Sequence, residues 1–250
     1  MSDEQIWAFS DVDDMLIATV RECPVAGSEV AAVDDKGKIC GWLTPKQRQF
    51  LSMFAGKVGI VLTTARTSKG VSQLSLPISG YWAIVSFGGV ILTPDGKVEP
   101  RYRAIMGAHA RQAAPTLSRL LALMQETCQT RGIDARCRVA QDDGMDLFLS
   151  VKHNQRDISE LAQLKDVLAP ELPQGWTLHF NGNFLAALPP QLNKESAVRW
   201  FIDNIAGADA LAIGMGDSLT DLSFMGLCDI AIMPTRSQSF SYLTKEISHD

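Results

Sequence analysis

The chain has 250 residues, 46% hydrophobic and 20% charged, a globular composition with material for one large domain or two modest ones. A formal net charge of -5 argues against a general nucleic-acid binder, because phosphate contacts need a basic surface. An acidic start without the pattern of a secretory signal, the lack of any bilayer-length apolar run, and five scattered cysteines without a CxxC pair predict a cytoplasmic protein with reduced thiols and no membrane partner.

Ile6, Trp7, Ala8 and Phe9 form an apolar run of the kind a strand buried on both faces shows, and Asp11, Asp13 and Asp14 follow at once. In open α/β sheets ligands gather beyond the carboxyl ends of the strands, so this cluster reads as a site for a metal and a phosphoryl group. An acidic turn with Asp11 capping the next element is the structural alternative. The stretch from Arg21 to Trp42 carries the turn Asp34-Asp35-Lys36-Gly37 and predicts a hairpin, either a flap shielding the acidic cluster or a surface hairpin without a role. Thr44-Pro45-Lys46-Gln47 starts a predicted helix with a capping box, Phe50, Leu51, Met53 and Phe54 on its buried face and Gly56 at its end. Residues 58–64, VGIVLTT, are a second buried strand. Strand, helix and strand in this order make a parallel βαβ unit, which brings Thr64 to the same sheet edge as Asp11; a plain helix cap is the other role open to that threonine. Residues 82–92 read as a third strand, broken by Gly88 and Gly89.

From there the rhythm changes. Residues 103–131 predict one long helix or two that meet at Pro115, and residues 138–153 alternate around Asp142-Asp143-Gly144 as a hairpin would. Ile158, Leu161, Leu164 and Leu168 have helical spacing, and residues 177–188 read as a strand pair or a bent strand. Residues 98–188 therefore read as an α+β insertion within a core made of residues 1–97 and 189–250. Beyond Pro189-Pro190 comes a helix with Val198, Phe201, Ile202 and Ile205 inward. The strand 211–215 then leads into Gly216-Asp217-Ser218-Leu219-Thr220-Asp221, and residues 230–233 make a last strand. The expected fold is α/β, a Rossmann-like parallel sheet with a smaller α+β domain.

Four segments stand in a telling order: DVDD at 11–14, TTAR at 63–66, Lys194 in NKES, and GDSLTD at 216–221. In this order they resemble the haloacid dehalogenase superfamily of phosphotransferases. The insertion between the threonine and lysine motifs resembles members with a C2-type cap, among them Cof-type, sucrose-phosphate, trehalose-phosphate and mannosyl-3-phosphoglycerate phosphatases. The resemblance implies that Asp11 is a nucleophile attacking phosphorus and that Asp13 protonates the leaving oxygen and then activates water. It implies a Mg²⁺ site at Asp11, Asp217, Asp221 and the backbone carbonyl of Asp13. Thr64 would hold the transferring phosphoryl group and Lys194 would balance its charge. Arg66, Gly88 and Gly89 are further candidates for substrate binding, with a structural or rim role open for Arg66. The implied activity is Mg²⁺-dependent hydrolysis of a small phosphate ester, a sugar or polyol phosphate, by a monomer or homodimer. A phosphotransferase or phosphomutase, or a non-catalytic phosphate-binding protein, are the rivals.

Charge arithmetic favours a cation in such a cluster. Two like charges ~4 Å apart at an effective dielectric of ~20 repel by about 4 kcal/mol, so gathering four carboxylates calls for a divalent ion and a lysine. Met15, Phe87 and Thr220 depart from the superfamily pattern without removing a carboxylate. In the inserted domain Lys152, His153, His179, Asn181 and Asn183 are candidate contacts, each with a surface role as its alternative.

Overall fold

The structure, a computed structural model, describes residues 6–20, 22–34, 36–54 and 56–247; the acidic start at residues 1–4, Arg21 and Asp35 lie outside the described residues. The first half runs β1 (Ile6–Ser10), β2 (Glu29–Val33), β3 (Ile39–Leu43), α1 (Pro45–Ser52), β4 (Gly59–Thr63), α2 (Ser68–Ser72), β5 (Trp82–Val85), β6 (Val90–Leu92) and α3 (Pro100–Arg131). It continues with β7 (Ala135–Asp142), β8 (Met145–His153), α4 (Ile158–Leu168), β9 (Thr177–Asn181), β10 (Phe184–Leu188), α5 (Lys194–Phe201), β11 (Leu211–Met215), α6 (Leu222–Met225), β12 (Ile230–Ile232) and α7 (Gln238–Ile247). Among the described residues no helix is long and apolar enough to cross a membrane.

The chain divides into two compact units, residues 1–102 with 194–250, and residues 103–193. The borders lie five residues beyond the 97/98 and 188/189 read from sequence. Residues 98–102 stay with the first unit because Val98 bridges Leu92, the Glu99 N–H donates to Ile91 O at 2.8 Å, and the Tyr102 hydroxyl donates to Gly88 O at 2.6 Å.

In the first unit the main sheet has the order β12-β11-β1-β4-β5-β6, parallel from β12 to β5 with β6 antiparallel at the edge. All five residues of β4 are buried, as expected of a strand covered on both faces. Because β11, β1 and β4 run parallel side by side, Met215, Ser10 and Thr63 end at one sheet edge. Alternation puts Trp7 and Phe9 on one face of β1, where both meet Phe201 of α5 edge-on, at 5.0 and 5.5 Å between ring centroids. Trp82 of β5 joins them at 5.3 Å. Such pairs add roughly 0.5–1.5 kcal/mol each beyond the area they bury, so they fix α5 firmly on the sheet.

The hairpin β2–β3 forms as expected, and it is stitched to the segment after the first acidic cluster by paired backbone bonds between Ala18 and Trp42, 2.8 and 2.9 Å long. The capping box on α1 is present, with the Gln47 N–H donating to Thr44 Oγ1 and Gln47 Oε1 accepting from the Thr44 N–H. Three local readings need correction. Met53 is 72% exposed, since the helix ends at Ser52 and its buried stripe is carried by Leu51 and Phe54. The third strand is two: Ser86 (φ 52), Phe87 (φ 58) and Gly88 (φ 94) reverse the chain, so β6 returns antiparallel to β5. A left-handed conformation costs a non-glycine residue roughly 1–2 kcal/mol. The turn is held by the Ser86 N–H on Arg66 O at 2.7 Å and by Tyr102 on Gly88 O. A wide turn over Ile202–Ala206 ends α5, which leaves Ile202 and Ile205 only half-buried instead of fully inward.

In the second unit α3 is one continuous helix through Pro115. Its stripe of Leu117, Leu120 and Met124 packs with Leu161 and Leu164 of α4 against Leu149, Val151 and Leu185. These last three face one side of an antiparallel sheet of order β7-β8-β10-β9. Residues 177–188 are thus a strand pair.

Candidate active site

The alternation that turns Trp7 and Phe9 toward α5 continues to Asp11. The sheet pairing also extends one step, through the Asp11 N–H donated to Met215 O at 2.8 Å. Phe201 anchors α5 from the same face, and that helix begins at Lys194. The Lys194 ammonium donates to Asp11 Oδ1 at 2.5 Å and to Asp221 Oδ1 at 2.7 Å. All three side chains are buried, Asp221 completely. Ser218 holds the other Asp221 oxygen with its N–H (3.1 Å) and its hydroxyl (2.7 Å).

This folded-back loop depends on Gly216. A Cβ at that position would overlap the Asp221 Cβ and sit 2.9 Å from its Cγ. Asp217 follows β11 directly, half-buried, and Asp11, Asp217 and Asp221 each offer an oxygen within 4.8 Å of the others.

One ammonium faces three carboxylates here. Burial, opposed by Lys194 and reinforced by Asp221 and Asp13, pushes the Asp11 carboxyl up to about 8. Burial, then Asp221 and Asp14, pushes Asp217 up to about 6. Burial works against the Lys194 charge, yet Asp11 and Asp221 outweigh it and hold the ammonium above its ordinary range. A hard divalent cation takes oxygen ligands, and this set offers only carboxylate oxygens with negative charge in excess, so the residues fit such an ion.

Around this centre the other candidates divide. Asp13 is gripped by the Arg66 guanidinium, whose Nη2 lies 2.5 Å from Oδ1 and whose Nε lies 2.9 Å from Oδ2. Burial opposes the Arg66 charge, but Asp13 and then Cys40 hold it above its ordinary range. Thr64 is buried at the end of β4; its N–H donates to Ile84 O at 2.8 Å and its oxygen accepts the Arg66 N–H at 3.1 Å. Gly88 and Gly89 belong to the reversal after β5, whose Phe87 N–H donates to Thr64 O at 3.2 Å. The Gly88 carbonyl takes the Tyr102 hydroxyl, and the Gly89 N–H is spent on Val85 and Ser86 within the reversal. Asp14 (φ 62) takes a turn role, accepting the Thr19 N–H and hydroxyl. Met15 and Phe87 are buried, so these departures from the superfamily pattern are packed into the unit.

In the second unit His153 is a satisfied core histidine. Its Nε2 lies 2.7 Å from Glu160, and its Nδ1 accepts the Gln155 and Asp157 N–H groups. Asn183 bonds the backbone of His153 and is likewise structural. Lys152, His179 and Asn181 sit on the opposite side of the sheet by strand alternation.

Two participants escaped the sequence reading. Ser218 lies three residues before Asp221, a spacing that local capping patterns use, so a signal was present. Cys40 comes to Arg66 from the hairpin, and nothing near it in sequence marks that meeting.

A scan against protein-family models and a search of curated proteins both find no match. Solved structures do resemble the chain. The sucrose-phosphatase of Synechocystis, solved with sucrose and phosphate, is 15% identical with a TM-score of 0.56, covering 99% of this chain and 89% of that one. A haloacid dehalogenase-like hydrolase from B. subtilis is 12% identical with a TM-score of 0.56, covering 93% and 90%. The C-terminal domain of the trehalose-6-phosphate phosphatase of C. albicans is 14% identical with a TM-score of 0.53, covering 99% and 78%. At these identities the likeness is one of fold: the chain has the haloacid dehalogenase-like α/β fold with an α+β cap.

Proposed function

We propose that the chain is a Mg²⁺-dependent phosphomonoesterase acting on small phosphorylated metabolites of the cytoplasm through an aspartyl-phosphate intermediate. The observation that carries this reading is the buried junction in which Lys194 reaches both Asp11 and Asp221 beside Asp217.

Asp11 attacks phosphorus with the carboxylate oxygen that Lys194 does not hold, forming an O–P bond as the bond to the leaving oxygen breaks. Asp13, aimed by Arg66, takes up a proton as the ester's negative charge enters, gives it to that leaving oxygen, and as the carboxylate then takes one from the water that cleaves the acyl phosphate. Lys194 balances the charge gathered on the phosphoryl oxygens, and the Thr64 hydroxyl fixes one of them. Asp11, Asp217 and the Asp13 carbonyl would hold Mg²⁺, with Asp221 orienting Asp217 or reaching the ion through water. Bound there, the ion neutralises phosphoryl charge and orients the ester.

The proposed substrate class is sugar or polyol phosphates. Its support is fold kinship with the sucrose-phosphatase and trehalose-6-phosphate phosphatase structures, and a screen of phosphorylated metabolites for phosphate release tests it. The central test is turnover of p-nitrophenyl phosphate with and without Mg²⁺, beside Asp11→Asn. Turnover that needs both the metal and Asp11 is expected, falling by at least ~10³-fold in the variant. Turnover that survives Asp11→Asn would remove Asp11 as nucleophile, and no turnover in any condition would favour a binding protein.

A further inference from the structure

Asp217 is the least tethered of the three gathered carboxylates. Lys194 bonds Asp11 and Asp221, and Ser218 takes the second oxygen of Asp221. Among the described residues no hydrogen bond from another residue reaches the Asp217 side chain. The three groups each offer an oxygen within 4.8 Å of the others, a range at which like charges push one another apart. The place of Asp217 therefore depends on the backbone that carries it.

That backbone is fastened from later in the chain. The Gly216 N–H donates to Ile232 O of β12 at 3.2 Å. The first turn of α7 then takes hold twice: the Ser239 N–H donates to Asp217 O at 2.9 Å, and Gln238 Oε1 accepts the Leu219 N–H at 3.2 Å. These two bonds bracket Ser218, the residue that bonds Asp221. The N–H groups of a helix's first turn have no partner inside the helix, which leaves the Ser239 N–H available to the loop. Ser237 fixes where that turn begins, its hydroxyl accepting the Phe240 N–H at 3.0 Å. Ser239 is completely buried, and among the described residues its hydroxyl has no partner, so the N–H is its tie to the loop.

We infer that Gln238 and Ser239 are positioning residues for the divalent cation: the first turn of α7 holds residues 217–219 so that the Asp217 carboxylate stays beside Asp11 and Asp221 before the ion arrives. The inference rests on the Mg²⁺-dependent reading above and goes beyond it, because it puts the control of metal affinity in a helix that follows the last strand. A ligand set already gathered loses less freedom on binding than one that must be assembled, so the hold is felt as affinity. Once the ion is bound the loop is assembled either way, and the rate at saturating ion is untouched.

The test is isothermal titration of the full chain with MgCl₂, beside melting curves of the metal-free protein. Gln238 is exposed, so Gln238→Met removes the acceptor without opening the core. Mg²⁺ binding should weaken about three- to tenfold, the worth of one hydrogen bond, at an unchanged metal-free melting temperature. Gln238→Glu, which keeps an oxygen acceptor, should bind as tightly as the parent or more so. Ser239→Pro removes the N–H at a first-turn position that tolerates proline, and should weaken binding by at least about tenfold. Tyr242→Ala, an exposed change further along α7, should stay within about twofold of the parent. With p-nitrophenyl phosphate, Gln238→Met should need more Mg²⁺ for half-maximal turnover yet reach the parent's kcat at saturation. The inference is overturned by parent-like affinity in Gln238→Met, by an equal loss in Tyr242→Ala, or by affinity losses that follow a lower metal-free melting temperature. A parent chain that takes up no Mg²⁺ overturns the reading beneath it as well, so the two failures are told apart.

Discussion

The Lys194 ammonium and the Asp221 carboxylate, 27 residues apart in the chain, meet at 2.7 Å where solvent does not reach Asp221 at all. Asp221 is therefore tied from two sides, by Lys194 on one oxygen and Ser218 on the other. A buried charge without its partner costs far more than an intact pair contributes. Lys194→Met should accordingly destabilise the metal-free protein by about 3–5 kcal/mol near pH 8. The loss should shrink toward pH 5, where protonation of Asp11 removes one of the stranded charges, and urea melts at the two pH values measure it.

Gly216 makes the same fold-back possible from the backbone side. With a Cβ there set 2.9 Å from the Asp221 Cγ, the loop must shift. Gly216→Ala should cost about 1–3 kcal/mol through overpacking. It should also weaken Mg²⁺ binding, read as a smaller gain in melting temperature on adding the ion.

Metal-free stability should fall as pH rises from about 4 to about 8. The folded-state values of Asp11 (about 8) and Asp217 (about 6) both lie above the ordinary 3.8, so the folded chain binds more protons than the unfolded one in that window. Stability contributed this way is present at the acid end and lost as the carboxyls ionise against one another. Mg²⁺ should reverse the trend, adding about 2.7 kcal/mol at a concentration 100 times its Kd and little at pH 5. Melting curves with Mg²⁺ and after its removal, at both pH values, check the sign.

Arg66 and Asp13 form a two-point ion pair that solvent partly reaches, with side chains 17% and 37% exposed. Exposed pairs contribute at most about 1 kcal/mol, so Arg66→Ala should leave the melting temperature nearly unchanged. Turnover of p-nitrophenyl phosphate should still fall by roughly 10–100-fold, because Asp13 loses the group that aims it. Equal losses in stability and rate would make the arginine a structural residue.

Much of the core was legible along the chain. The apolar run of Ile6–Ser10 and the all-buried Gly59–Thr63 announce strands covered on both faces, and the Thr44–Gln47 capping box starts its helix where the pattern puts it. The motifs containing Asp11, Thr64, Lys194 and Asp217 could be seen in order, because each is a short segment at the end of a periodic element. The reversal at Ser86–Gly88 could not. Its left-handed serine and phenylalanine run against local preference, and bonds from Arg66 and Tyr102 hold them there.

By itself, then, the sequence determined most of the core elements, the parallel pairing of β1 with β4 and the set of carboxylates, since hydrophobic period and turn chemistry are local properties. Tertiary structure alone decided that Lys194 lies between Asp11 and Asp221, that Arg66 grips Asp13 with Cys40 beside it, and that Arg136 faces Lys152 across the cap strands. Those relationships depend on distances of a few ångströms between segments far apart in the chain, and no local pattern carries them.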